Sequence, residues 1–135
     1  MKKMVHKQNG FFILEALVAI LIFAIGILGI MQIQKFSIQA ISDSQYRINA
    51  LYLSDSLIGD MWVDQSNIPQ YISGSSPNYQ TWLQEVDSIL PNANQYPPTI
   101  TLTNINNSQQ INITIYWKDP QLNVVSKYQT TATIY

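Results

Sequence analysis

The chain contains one long apolar segment, and this segment limits the possible folds more than any other feature. Residues Phe11–Met31 read FFILEALVAILIFAIGILGIM and include a single charged side chain, Glu15. At about 1.5 Å per residue, a helix of this length crosses the hydrocarbon core of a membrane. The preceding residues, MKKMVHKQNG, carry three lysines and no acid, and basic residues before an apolar helix tend to stay in the cytoplasm. The pattern predicts a single-pass helix with the remainder of the chain facing outward.

Two simpler interpretations of the segment are a cleaved secretory signal and a plain signal anchor. The run is long for the apolar region of a signal peptide, which spans about 7–15 residues. Its end also lacks a clear small-x-small cleavage site, because the nearest candidate, Ile38-Gln39-Ala40, begins with isoleucine. The signal anchor is therefore the stronger of the two alternatives, and topology alone leaves it open.

Glu15 distinguishes the segment from an ordinary anchor. A carboxylate at the centre of a membrane helix costs roughly 2.5–3.5 kcal/mol, and less near an interface, so such a group usually has a partner and a function. The string Gly10-Phe11-Phe12-Ile13-Leu14-Glu15, which follows a basic leader and begins an apolar helix, resembles the processing site of type IV prepilins.

The resemblance implies a processing reaction and a role for three residues. In type IV prepilins a dedicated peptidase cuts after the glycine, and the new N-terminal phenylalanine is N-methylated. We therefore expect cleavage between Gly10 and Phe11, and N-methylation of Phe11. Glu15 becomes the fifth residue of the mature chain, where the family's glutamate sets subunit register by pairing with a neighbour's α-amino group. Phe12 replaces the family's frequent Thr or Ser, a mild departure that leaves the glycine and glutamate in place.

The residues after the apolar run predict the rest of one long helix. No proline occurs between Phe11 and Pro69, so the helix is expected to continue to about Val63. Its second half is expected to be amphipathic and to cover a sheet with apolar residues at helical spacing. The predicted stripe comprises Ile33, Phe36, Ala40, Ile48, Leu51, Ile58 and Trp62. Asp43 and Arg47 are spaced to form an i,i+4 ion pair on the exposed side.

The C-terminal part predicts a small antiparallel sheet. Apolar and polar residues alternate over 99–103 and 111–117, residues 124–135 are rich in β-branched side chains, and turns are expected at 106–108 and 119–123. The intervening stretch 65–98 contains five prolines and predicts loops with a short helix near Tyr79–Leu90. The predicted fold is α+β: a long N-terminal α-helix, first transmembrane and then amphipathic, packed on a small antiparallel β-sheet. This arrangement resembles the pilin fold.

The expected domains follow from the two halves. Residues 1–10 form the leader, 11–34 the transmembrane or filament-core helix, and 35–135 a periplasmic head.

Three stretches, AIGILG at 24–29, ALYLSDSLIGDMW at 50–62 and ITIYWKD at 113–119, resemble PilV-type minor pilins. That resemblance implies a low-copy subunit that helps to initiate pilus assembly and sits near the pilus tip. Before assembly it would lie in the inner membrane, and afterwards in the pilus at the cell surface.

The same resemblance implies the partners. They are other minor and major pilins, the prepilin peptidase, the inner membrane and a possible tip adhesin. Nucleic acid is not expected as a partner, since the chain has a net charge of −1 and no basic patch. Within the class, a minor pseudopilin of a type II secretion or competence system stays open. An alternative of another class is a single-pass anchored periplasmic binding module that never polymerises.

Catalysis and metal binding have little support in the composition. The chain has no cysteine, and its single histidine, His6, lies in the expected leader, which removes most nucleophile–base pairs and transition-metal sites. We therefore expect no enzyme activity, no cofactor and no metal. Asp60 and Asp64 could share a calcium ion, but a solvated helix end is the favoured interpretation. The three tryptophans are expected in the core: Trp62, Trp82 and Trp117.

Overall fold

The structure is a computed structural model that describes residues 9–105, 108–120 and 123–135. Most of the expected leader, residues 1–8, lies outside the described residues, as do 106–107 and 121–122 of the two expected turns. The helices are α1 (Asn9–Val63), α2 (Ile68–Ile72) and α3 (Pro77–Ile89), with short 3₁₀ turns at Gln65–Asn67 and Ala93–Gln95. The strands are β1 (Thr99–Ile105), β2 (Ser108–Lys118) and β3 (Val125–Ile134). The predicted α+β class is confirmed.

Helix α1 confirms the prediction of one continuous N-terminal helix. It runs for 55 residues, and its end at Val63 coincides with the expected one. Contacts divide the chain into two compact units, Met1–Ala40 and Ile41–Tyr135. The predicted limits at residues 10 and 34 concern processing and membrane position, which the fold does not test. In the first unit, every side chain from Gly10 to Ile38 is exposed, so this part of α1 has no covering element of its own among the described residues.

The core of the second unit lies between one face of α1 and the inner face of the sheet. From α1 it contains four fully buried residues at helical spacing: Ala50, Leu53, Leu57 and Met61. From β2 it contains alternate residues, as period two requires: Ile111, Ile113, Ile115 and Trp117. A helix face with a period near 3.6 and a strand face with a period of 2 thus meet in a single apolar layer, the packing expected of an α+β unit.

The predicted sheet-facing stripe of α1 was wrong. Ile48, Leu51 and Trp62 are exposed, whereas the residues that face the sheet are those of the Ala50–Met61 set. Of the predicted residues in the second unit, only Ile58 packs against the core, and Ile33, Phe36 and Ala40 are exposed in the first unit. The physical reason is that α1 carries apolar residues on two opposite faces, and periodicity alone does not say which of them meets the sheet.

The sheet is an antiparallel meander in the order β1-β2-β3, as predicted. Ile113 lies between Ile100 of β1 and Thr130 of β3, which fixes the register at the centre of the sheet. Since a shift of one residue would turn every inner side chain outward, the buried isoleucines of β2 specify this register. The alternation predicted over 111–117 is therefore confirmed, with Ile111, Ile113, Ile115 and Trp117 on the buried face.

Helix α3 packs against α1 and is hydrogen-bonded to it. The Trp82 indole Nε1 donates a hydrogen bond of 2.7 Å to the Leu53 carbonyl oxygen, and Val86 is buried one turn later. Trp82 and Trp117 are therefore core residues as expected, but Trp62 is 44% exposed and is not. Beside Trp82, burial and then the Asp87 carboxylate raise the pKa of the Tyr79 hydroxyl, because both disfavour the phenolate.

The predicted ion pair of α1 is present. Arg47 Nε donates to Asp43 Oδ2 at 2.9 Å. The Arg47 guanidinium also lies 5.9 Å from the centre of the Trp117 ring, within range of a cation–π contact. Arg47 is thus held by an acid on its own helix and by an aromatic ring of the sheet.

Candidate assembly site at the start of the long helix

The three residues singled out by sequence lie together at the beginning of α1. Gly10 and Phe11 are in its first turn, and Glu15 follows Phe11 by four residues, so Phe11 and Glu15 share one helix face about 6 Å apart along the axis. All three residues are exposed. A Cβ added at Gly10 would meet nothing within 4 Å, so internal packing does not require glycine at this position.

Glu15 has no partner in the described part of the chain. It takes part in no hydrogen bond or ion pair there. The first cation after it along α1 is Lys35, which is 20 residues and therefore about 30 Å away. A carboxylate in a dry environment needs a nearby cation, because a buried unpaired charge is strongly destabilising. Within this stretch of α1 the chain supplies none, so a cation has to come from the chain terminus or from another molecule.

The surroundings of Glu15 favour a dry environment. Of the 21 residues from Phe11 to Met31, 14 are Leu, Ile, Phe or Val. Each such residue contributes roughly −0.3 to −0.6 kcal/mol to membrane insertion at the helix centre, whereas one charged residue costs about 3 kcal/mol there. The apolar residues therefore outweigh Glu15. Helix α1 is long and apolar enough to cross a membrane, which indicates a membrane anchor or a signal sequence.

Asp64, one of the two carboxylates considered for calcium, makes local hydrogen bonds. Asp64 accepts hydrogen bonds from Asn67 Nδ2 at 2.7 Å and from the Tyr71 hydroxyl at 3.5 Å, so it ties the end of α1 to the following turn and α2. Within residues 9–105, 108–120 and 123–135, no group of three or more His, Cys, Asp or Glu side chains is placed to hold a metal ion. Asp64 is thus half-buried and hydrogen-bonded at the end of α1, whereas a solvated helix end was expected there.

Two cavities among the described residues can be compared with the usual dimensions of a ligand site. One of about 200 Å³ is lined by Gln65, Ile68, Gln109, Ile134 and Tyr135. Small-molecule sites usually measure about 300–1,000 Å³ and enclose most of their ligand. A second volume, of about 660 Å³, is lined only by residues 28–39 of α1, so it is an open surface along one helix. Neither of these two volumes combines the size and the enclosure of such a site.

Comparisons of the chain with protein-family models, with curated proteins and with solved structures found no match. The architecture therefore has to be described from the chain itself. A 55-residue N-terminal helix begins with an exposed apolar segment, and a three-stranded antiparallel sheet packs on residues of its C-terminal part. An unpartnered glutamate lies one turn into that apolar segment. The chain has a pilin-like architecture.

Proposed function

We propose that the chain is a minor type IV pilin that helps to initiate pilus assembly and is located at or near the pilus tip. The observation that carries this proposal is Glu15, a single unpartnered carboxylate in an exposed apolar helix, five residues after Gly10. A plain membrane anchor does not need a charged side chain at this position, and such a charge makes membrane insertion less favourable. A subunit that must align its helix with others in a dry filament core does have a use for it.

Processing creates the cation that Glu15 lacks. Hydrolysis of the Gly10–Phe11 peptide bond consumes one water molecule and leaves a carboxylate on Gly10 and an α-amino group on Phe11. The bond lies in the first turn of α1, whose N–H groups have no intrahelical acceptors. Glycine also weakens the helix at this point, so unwinding the helix around the bond to fit a peptidase site costs little free energy.

The new α-amino group and Glu15 form a natural pair between neighbouring subunits. Both belong to an apolar segment that excludes water once helices pack side by side, and each charge alone would be costly there. Pairing Glu15 of one subunit with Phe11 of the next satisfies both charges only at one axial offset. The pair therefore acts as a register device, which is the role that the resemblance to type IV prepilins implies.

The remaining features support a single-pass subunit with an outward head. The three leader lysines favour a cytoplasmic N-terminus, and with that orientation the head lies in the periplasm before assembly and on the pilus afterwards. Its proposed partners are the prepilin peptidase, other minor and major pilins, and a tip adhesin. Since the chain has no cysteine, it lacks the disulfide that clamps the C-terminal region of many major pilins, which favours a minor subunit.

Deletion of the gene tests this function against a role in secretion. A minor pilin that initiates assembly is expected to be required for surface filaments, so the deletion strain should lose most of its pili and regain them on complementation. Sheared filaments from the complemented strain should contain the chain at a small fraction of the major subunit. Normal pilus numbers together with defective protein export would contradict the proposal and favour a pseudopilin.

A further inference from the structure

The outward face of α1 in the head unit carries four large apolar side chains that are exposed. This outward stripe is opposite the face that packs on the sheet, and its members are separated by seven, four, three, four and three residues. They are Ile41, Ile48, Tyr52, Asp55, Gly59 and Trp62. The four large apolar side chains of the stripe are between 44% and 66% exposed. A mean spacing near 3.5 residues is the spacing with which one helix packs along another.

Gly59 is a second, independent indication that another element packs on the outward stripe. Glycine in the middle of a helix is destabilising relative to alanine. Here no internal contact requires it, because a Cβ at Gly59 would meet nothing within 4 Å, and no positive φ requires it either. A glycine on an apolar helix face leaves a notch into which a side chain or backbone of a second element fits. Close approach of a partner at Gly59 would account for this cost.

Asp55 indicates which partner fits. It lies one turn before Gly59, and in the described part of the chain it has no hydrogen bond or ion pair. Covering the stripe would bury this carboxylate, which then needs a cation from the partner. A second copy that packs through the same stretch of α1 supplies none: the only cation in 41–63 is Arg47, which already contacts Asp43 and Trp117. Two parallel copies in register would also oppose Asp55 to itself.

We propose that the outward stripe binds a helix of a different subunit, one that presents a Lys or Arg to Asp55 and a bulky side chain to the notch at Gly59. This inference rests on the proposed function and deepens it, because it assigns the choice of partner to the head part of α1. The charge at Asp55 disfavours self-association, because it would face a second carboxylate. The notch at Gly59 disfavours a helix that has no side chain to fill it. Heterotypic assembly is what a low-copy subunit needs.

Substitutions in the stripe test the proposal in cells that express the full chain. Asp55→Lys opposes the partner's cation, and Gly59→Leu fills the notch, so each should lower pilus number at least tenfold. Neither should unfold the head, since Asp55 has no internal partner and the site of a Gly59 Cβ is open. Asp87→Lys, at another exposed acid, is the matched control and should leave pilus number unchanged. Near-normal pilus numbers in both stripe variants would overturn the proposal.

A cysteine placed in the stripe tests the choice of partner directly. Because the chain has no native cysteine, Tyr52→Cys introduces a single thiol. Under oxidation in membranes this variant should give no disulfide-linked dimer with itself, and a strong homodimer would instead assign the stripe to a second copy. Glu15→Ala distinguishes a failure of the stripe proposal from a failure of the proposed function. If it abolishes pili and the stripe variants do not, the stripe proposal fails alone; if none has an effect, the proposed function fails.

Discussion

Replacing Glu15 by alanine is expected to leave the chain folded, inserted and processed, but nearly absent from filaments. In the assembled filament the substitution would leave the α-amino group of a neighbouring Phe11 buried without its counterion. Breaking one side of a buried ion pair costs about 3–5 kcal/mol, which lowers incorporation by roughly two to nearly four orders of magnitude. The measurement is the ratio of the chain in sheared filaments to the chain in membranes, by quantitative immunoblotting.

Two further variants separate charge from shape at this position. Glu15→Gln keeps the size and the hydrogen-bonding capacity of the side chain but removes its charge, so it should fail almost as completely as Glu15→Ala. Glu15→Asp keeps the charge on a shorter side chain and should retain partial incorporation. If Glu15→Ala entered filaments at the ratio of the unmodified chain, the register role of Glu15 would be wrong.

Replacing Leu57 by alanine is expected to destabilise the head by about 2–5 kcal/mol, because Leu57 is fully buried between α1 and the sheet and its loss leaves a cavity. Leu51 offers a matched control on the same helix: it is 41% exposed, so the same substitution should cost less than about 1 kcal/mol. Urea unfolding of the full chain in detergent, followed by tryptophan fluorescence, measures both. All three tryptophans lie after residue 41, so the signal reports on the head unit alone.

Comparison of the two leucine substitutions also tests which face of α1 meets the sheet. The sequence pattern assigned Leu51 to the sheet side, whereas the structure places Leu57 there with Ala50, Leu53 and Met61. A larger loss of stability for Leu51→Ala than for Leu57→Ala would contradict the described orientation of the helix. The reverse order is expected.

The elements of the fold could be predicted because each has a local signal. The extent of α1 follows from the lack of proline up to Pro69, and β2 follows from strict alternation at Ile111, Ile113 and Ile115. Helix α2 was missed because it has only five residues and begins with a proline at its second position, in a stretch whose composition predicts loops. A single turn of helix depends on its tertiary contacts, which local propensity does not contain.

The face of α1 could not be predicted because two solutions have the same periodicity. The Ala50–Met61 set repeats at helical spacing, and so do large apolar side chains that the structure leaves exposed, among them Ile48, Leu51 and Trp62. Ala50 and Ser54 mark the sheet-facing side, where small residues allow close packing; Ser54 Oγ donates to the Ala50 carbonyl oxygen at 2.8 Å instead of to solvent. The large apolar side chains therefore favoured the wrong face, and the small residues Ala50 and Ser54 were the signal for the right one.

The candidate site was predicted from sequence in a different way. Gly10, Phe11 and Glu15 are adjacent along one helix, so their proximity needs no tertiary information, and the structure places them in its first two turns as a continuous helix requires. Their chemical roles depend on a peptidase and on neighbouring subunits. For that reason cleavage after Gly10, N-methylation of Phe11 and the pairing of Glu15 stay predictions.

The mature N-terminus is the most direct test of a pilin-like subunit. The chain should be expressed together with a prepilin peptidase and recovered from membranes, and its N-terminal peptide should be identified by mass spectrometry. A product that begins at N-methylated Phe11 is the predicted result. An intact N-terminus at Met1 would contradict processing and favour the anchored binding module, and a cut near Ala40 would make the chain a secreted protein without a filament role.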